Sequence, residues 1–406
     1  MASVSPFRAL RPAPEAAARV ASVPYDVVNT EEARRIAAGN PLSFLHVTRA
    51  EIDLPADVNP YDGRVYDQAV QNLEALKREA PLVIEDAPSL YFYRLKMGAH
   101  EQTGLAACFS VDEYERGLIK KHEKTRRDKE DDRTRHVLET RAQTGVVFLT
   151  YRASTMIDQL ARQACTGAPL YKITASDGVE HTIWRVPAAL TESIVQAFAA
   201  LPATYIADGH HRAASAARAY QTIAAEGGRT ADAGTFIAVA FPDSQVQILP
   251  YNRVVADLAG KTPDAFLAEL RSKVVHVQPG SSTPSGPGHA AMYLSGTWHD
   301  VTLPRPAAGV ARADTLDVEV LQKSVLEPLL GVGDPRTDKR IDFVGGIRGS
   351  AELERLVTSG KAAIAFALHP VSVDDLMAIA DAGGIMPPKS TWFEPKLRDG
   401  LLTHLI

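Results

Sequence analysis

Tyr205-Ile206-Ala207-Asp208-Gly209-His210-His211-Arg212 joins a short apolar strand to a glycine turn and then to an alanine-rich helix over 212–220. Such a junction is an anion site in outline. The first N–H groups of a helix lack intrahelical partners, and its dipole adds partial positive charge there. Gly209 lets the backbone approach a ligand, and Arg212 has the fork geometry for phosphate. His210 and His211 add donors whose charge changes near neutral pH. Asp208 can cap the helix, orient a histidine or hold a metal. The plain alternative is a helix start in which Asp208 is the N-cap and the histidines satisfy one another. Zinc fits poorly, because adjacent histidines point apart and no second ligand cluster follows.

On either side, strands and helices interleave. Residues 90–95, 105–111, 145–151 and 235–241 read as strands, the last buried by its unbroken apolar run. Residues 246–249 read as its hairpin partner across Pro242-Asp243-Ser244. Helices are expected over 30–38, 66–79 and 191–201. Downstream, helices at 316–330, 351–359 and 373–380 alternate with strands at 341–344 and 362–368. Residues 274–277, 291–294 and 298–303 read as further strands, the last two as a hairpin around Ser295-Gly296. The Gly/Pro-rich stretch 278–288 (QPGSSTPSGPG) is a loop or a lobe joint. The class is therefore α/β, with α+β as the alternative. The division expected is a core over 1–255, a smaller α/β lobe over 256–385 and a C-terminal arm over 386–406 that returns to the site.

Residues 121–136 contain no apolar side chain. Read as one helix, His122, Arg126, Lys129, Arg133 and His136 step by four, three, four and three, within an arc of roughly 80°. Such a cationic stripe repels itself unless an anion lies along it. Glu123 and Glu130 form a neighbouring stripe, placed to hold magnesium or take a proton from a hydroxyl. A solvated, salt-bridged helix is the alternative.

Smaller clusters flank these. Tyr25 and Asp26, and His46 and Arg49, close apolar stretches and are candidate substrate contacts. Asn252 and Arg253 follow a strand and can turn back toward the same pocket. The proline-rich run 386–396 cannot be a helix interior. Its Lys389, Ser390 and Thr391 suit a second phosphate contact or a lid.

The remaining composition narrows the class. The formal charge is −5 over 406 residues, which offers no global attraction to nucleic acid or anionic membrane. Cys108 and Cys165 are the two cysteines, too few for a disulfide framework. Cys108, inside an apolar run, reads as a small core residue. No leader-like or membrane-length apolar segment stands out, so the expected location is the cytoplasm. P-loop, dinucleotide-binding, zincin and nucleophile-elbow motifs are absent.

The motifs SVPYDVV, FLHVTR, IKKHEKTRRDKEDDR, IADGHHRAASA, LPYNRVV and MPPKSTWFEPKLRDGL together resemble a widespread prokaryotic family known as a domain of unknown function. The resemblance spans 23–401. More distantly, Asp208 to Arg212 is similar to the phosphate-binding turn of the ParB/sulfiredoxin superfamily. That superfamily includes CTP-hydrolysing partition proteins, ATP-using sulfiredoxin and free-serine kinases. His210 stands where sulfiredoxin has its reactive cysteine, and no basic DNA-binding surface accompanies the turn. The resemblance thus implies a ParB/sulfiredoxin-like nucleotide-binding core with large insertions.

The expectation is a nucleotide-dependent small-molecule phosphotransferase, acting on serine or phosphoserine, with ATP or ADP (CTP as an alternative) and Mg2+. Asp208, Gly209, His210, His211 and Arg212 would hold phosphates, with Arg126, Lys129, Arg133, Arg253, Ser390 and Thr391. Glu123 or His122 would be the base, and Lys389 would close over the transferred group. Tyr25, Asp26, His46, Arg49 and Asn252 would meet an amino acid or phosphomonoester. Glu123, Glu130 and Asp208 would hold the metal. A homodimer is compatible with this reading, and neither nucleic acid nor membrane is an expected partner. A phosphoserine hydrolase and a non-catalytic CTP/ATP switch use the same residues and stand as alternatives.

Overall fold

The apolar run at 235–242 forms the strand Thr235–Pro242, buried from Phe236 onward because it has sheet neighbours on both sides. The computed structural model describes residues 2–228 and 230–406. Its larger sheet runs in the order Ile119–Lys120, Thr204–Asp208, Val147–Tyr151, Thr235–Pro242, His100–Ser110, Tyr91–Met97, Glu180–Arg185 and Tyr171–Thr174. Val4–Ser5 pairs with His100–Ser110. Two pairings are parallel, Thr204–Asp208 with Ile119–Lys120 and Thr235–Pro242 with Val147–Tyr151, and the rest are antiparallel. The protein is thus a mixed α/β structure.

With both edges of Thr235–Pro242 occupied, no room remains for a hairpin partner. The expected pairing of 246–249 with that strand is therefore corrected: Gln247–Leu249 pairs with Trp392–Glu394. Gly104 is required where two strands meet closely, since a Cβ there would lie 2.7 Å from the Ala240 carbonyl oxygen.

Three helices matter for the site: α1 (Gly63–Glu79), α2 (Arg127–Thr140) and α3 (His210–Ala225). Ala213, Ala214, Ala216, Ala217 and Ala219 of α3 are buried, and their small side chains let α3 lie close to the sheet and to α2. Elsewhere local signals hold well. Thr30–Ala37 starts at a reciprocal capping box between Asn29 and Glu32.

The charged segment departs from expectation. Helix α2 begins at Arg127, and residues 121–126 are irregular. The five-residue stripe is therefore broken, with Lys129, Arg133 and His136 on the helix and His122 and Arg126 before it. The helix-forming side chains of 121–126 lose to tertiary bonding, as described below.

The contacts divide the chain into two units, Met1–Val246 with Pro395–Ile406, and Gln247–Glu394. The border lies ahead of the strand Tyr251–Val255 rather than at 255, and Pro395–Ile406 belongs to the first unit while 386–394 belongs to the second. In the second unit an antiparallel sheet runs His276–Pro279, Thr297–Thr302, His289–Leu294, Ile364–Leu368, Tyr251–Val255 and Ile341–Gly345. Gly349–Thr358 packs on it through Leu353. The turn at Ser295-Gly296 has positive φ at both residues (49° and 84°), the geometry of a tight hairpin. Residues 280–288 are a loop inside this unit rather than a joint between units.

Candidate functional site

Parallel pairing explains why two distant stretches meet. Ile119–Lys120 runs beside Thr204–Asp208 in the same direction, with Thr204 opposite Ile119 and Tyr205 opposite Lys120. Whatever follows Lys120 must emerge at the same sheet end as whatever follows Asp208. Val147–Tyr151 runs the other way, so Gly145 and Val146 enter at that end too.

At this end Gly209 adopts a φ of 98° and is the N-cap of α3, which no side chain caps. A Cβ on Gly209 would stand 3.4 Å from both the Arg212 side chain and Val147 Cα. The turn is tight and largely buried, and of its first helical residues His211 is the one partly exposed. Asp208, just before the glycine, accepts from Lys396 Nζ at 2.9 Å. Burial pushes the Asp208 carboxyl up, but Lys396 and Arg212 outweigh it and hold it well below the usual carboxylate range.

Each of the two histidines accepts a backbone N–H through Nε2, which leaves Nδ1 as its donor. His210 Nε2 accepts the N–H of His122 at 3.3 Å, and His211 Nε2 accepts the N–H of Arg126 at 3.0 Å. Both ends of residues 122–126 are thereby tied to the first turn of α3, which is why this segment is not helical. His122 is 2% exposed and lies edge-on to His210, ring centroids 4.4 Å apart. Burial pushes His122 down to about 4 and His210 well below its ordinary value, so both are neutral at pH 7. Glu123 differs: its side chain is 44% exposed, and one oxygen lies 3.8 Å from His210 Nδ1.

Arg212, expected to fork onto a phosphate, forks inward. Its Nη2 donates to both Asp26 oxygens at 2.7 and 2.8 Å, and Nη1 donates to the Val146 carbonyl at 2.6 Å. Its side chain is 5% exposed. Burial opposes the charge, but Asp26 and Asp208 raise the guanidinium well above its usual value. Tyr25 lies beneath two guanidinium groups, Arg133 at 4.4 Å and Arg212 at 5.7 Å from the ring centroid. Arg133 pairs with Asp132 at 2.8 Å and donates to the Thr48 carbonyl at 3.1 Å. Asp132 also accepts from Tyr66 of α1. A cavity of about 30 Å³, the size of one water, lies among Tyr25, Arg133, His136, Gly145 and Arg212.

Other expected residues are engaged with neighbours of their own or belong to the second unit. Arg126 pairs with exposed Asp128, and Lys129 donates to Tyr61. Glu130 accepts from Thr125 and Arg218. Glu123, Glu130 and Asp208 thus do not assemble a metal cage, and among the described residues no three His, Cys, Asp or Glu side chains do. His46 pairs with Asp53 at 2.9 Å beside a different cleft, and Arg49 pairs with Glu51. Lys389, Ser390, Thr391, Asn252 and Arg253 belong to the second unit. There Arg253 donates to the carbonyls of Tyr251, Pro388 and Lys389, Asn252 accepts from the Leu368 N–H, and Ser390 donates to the Pro387 carbonyl.

Residue-by-residue reading missed Lys396 and Asp399. Asp399 is 1% exposed and faces Arg212 and Asp26. Burial pushes its carboxyl up to about 7 against the pull of Arg212. Both lie in the quoted MPPKSTWFEPKLRDGL motif, which was the available signal.

Among the described residues no helix is long and apolar enough to cross a membrane. Among solved structures, a free serine kinase in complex with AMP is similar at 10% identity, covering 72% of this chain and 91% of its own, with a TM-score of 0.36. SbnI with a C-terminal truncation, from Staphylococcus aureus, gives 10% identity, 72% and 85% coverage and a TM-score of 0.38. A conserved hypothetical protein from Pyrococcus furiosus gives 13% identity, 73% and 94% coverage and a TM-score of 0.36. No protein of curated function matches the chain. A family model does match residues 4–321, well over half the chain, and the protein belongs to that family, described as protein of unknown function (DUF1015).

Proposed function

We propose that the first unit binds a nucleotide through its phosphates at the N-terminus of α3 and transfers a phosphoryl group to a small hydroxyl-bearing acceptor, serine being the acceptor that the sequence resemblance implies. The observation that carries this reading is the uncapped first turn of α3, opened by Gly209 and bordered by the exposed carboxylate of Glu123. The residues fit the phosphate part of a nucleotide: unpaired helix amides bind phosphate oxygens without a dedicated side chain.

A bound nucleoside phosphate supplies the transferable group. The amides of His210, His211 and Arg212 bind and orient its oxygens, and the α3 dipole offsets charge. Glu123 receives the proton leaving the acceptor hydroxyl as that oxygen bonds to the terminal phosphorus, and the bond from that phosphorus to the bridging oxygen breaks, leaving the nucleotide one phosphate shorter. His210 and His211 hold residues 122–126, and hence Glu123, in place. Arg212 is a positioning residue under the turn, tied to Asp26. The residues present do not build a protein cage for magnesium, and no step here depends on one.

The test is a nucleotide panel by thermal shift, followed by product analysis. ATP, ADP or CTP at 100 times its dissociation constant should stabilise by about 2.7 kcal/mol. Phosphoserine should form from serine and ATP, and Glu123→Gln should slow that turnover by roughly 10²-fold or more while nucleotide still binds. Absence of stabilisation by any of the three sinks the reading. Phosphate release from phosphoserine without nucleotide would favour the hydrolase, and bound but unaltered nucleotide would favour the switch.

A further inference from the structure

Asp208 poses a problem for the site just described. It is an acceptor of the type that caps helices, and it sits one residue before the N-cap glycine of an uncapped helix. Its carboxylate is negative, and the α3 dipole attracts negative charge to the place where a phosphate would bind. Both Nη groups of Arg212 are committed to Asp26 and the Val146 carbonyl, so Arg212 acts on Asp208 through its charge. Lys396 Nζ donates a hydrogen bond to the Asp208 side chain at 2.9 Å. The pair is half-buried, Asp208 being 28% and Lys396 14% exposed at the side chain.

Lys396 is delivered by a well-anchored arm. Asp399 exchanges backbone hydrogen bonds with Ser22 at 2.9 and 3.1 Å, and Thr403 does the same with Leu10, both at 2.9 Å. His404 pairs with Gln143. Gly400, at a φ of 86°, packs so tightly on Phe44 that a Cβ would lie 2.7 Å from the ring. The arm lies outside residues 4–321, the part matched by the family model.

We infer that Lys396 is a positioning residue for the α3 anion site: it holds the Asp208 carboxylate aside and so keeps this chain's own anion from capping the helix in place of the ligand. The inference rests on the α3 site proposed above. It makes the C-terminal arm part of that site, and it makes the lysine's effect conditional on the aspartate. A lysine that merely braced the fold, or that touched the phosphate itself, would not depend on Asp208 in this way.

The experiment measures ATP binding by titration calorimetry on the full chain in four forms: wild type, Lys396→Met, Asp208→Ala and the double variant. Lys396→Met is expected to weaken binding by roughly tenfold, the scale of one helix cap. The double variant is expected to recover to within about threefold of wild type, a difference below 1 kcal/mol. Unchanged binding in Lys396→Met overturns the inference. So does a double variant as weak as Lys396→Met, which would put the ammonium on the anion directly. If Lys396→Met does not fold, Asp208→Ala decides alone: it binds ATP at least as tightly as wild type, and weaker binding overturns the inference. A wild type that binds no ATP removes the α3 site itself, a failure distinct from the others.

Discussion

Arg212 in the first unit and Arg253 in the second are both nearly inaccessible, yet they are held in opposite ways. Arg212 meets a carboxylate, and Asp26 with Asp208 raises its guanidinium further. Arg253, 3% exposed, meets carbonyl oxygens of Tyr251, Pro388 and Lys389, and burial without a paired carboxylate pushes it down to about 9. It remains charged at neutral pH in either case. A buried ion pair spends its charge locally and fixes two distant segments, here residues 26 and 212. A guanidinium bound to carbonyls fixes one loop and keeps its net charge. The first arrangement suits the floor of the anion site proposed for the first unit. The second is a staple for the proline-rich turn at 387–389.

The largest expected effect tests that contrast. Asp26→Ala strands the buried Arg212 and should cost about 3–5 kcal/mol in urea unfolding. Arg212→Ala should cost less, because Asp26 is 36% exposed and can turn to water. Equal losses would mean the pair is not asymmetric.

Acid should separate the units next. His122 has a folded pKa near 4, below its unfolded value of about 6.5, so the unfolded chain binds the extra proton between them. Stability is therefore complete above pH 6.5 and falls as pH drops toward 4, by on the order of 3 kcal/mol for this group. Hydrogen exchange should show residues 122–126 and the start of α3 loosening first. Uniform loosening of both units would break the assignment.

Arg253→Met is expected to have the smallest effect. It should cost about 1–3 kcal/mol, because three carbonyls lose their donor, and it should raise proteolysis at 387–391. Arg253→Lys should not restore the loop, since a point charge cannot reproduce the fork. Full rescue by lysine would show that charge alone matters there.

Much was legible before any coordinates because its cause is local. The strand–Gly209–helix junction, the caps of 30–37, the buried run at 235–242 and the Ser295-Gly296 turn follow from side-chain chemistry within a few residues. Periodicity failed at 121–126 for the opposite reason. Its helix-forming side chains were outweighed by His210 and His211, which take its backbone N–H groups from 88 and 85 positions away. The hairpin expected at 246–249 failed likewise, since an occupied edge cannot be read from the strand beside it.

The sequence by itself determined an α/β chain with a glycine-opened helix start, and it contained every side chain of the site. Which of those side chains would be spent on one another was decided only in three dimensions. Whether Arg212 faces a ligand or Asp26, and whether a histidine gives or accepts a hydrogen bond, depends on what the parallel pairing of 119–120 with 204–205 brings to the same end of the sheet. Charge and hydrogen-bond capacity belong to the residue, but their saturation belongs to its neighbours, and neighbours distant in sequence are set by topology.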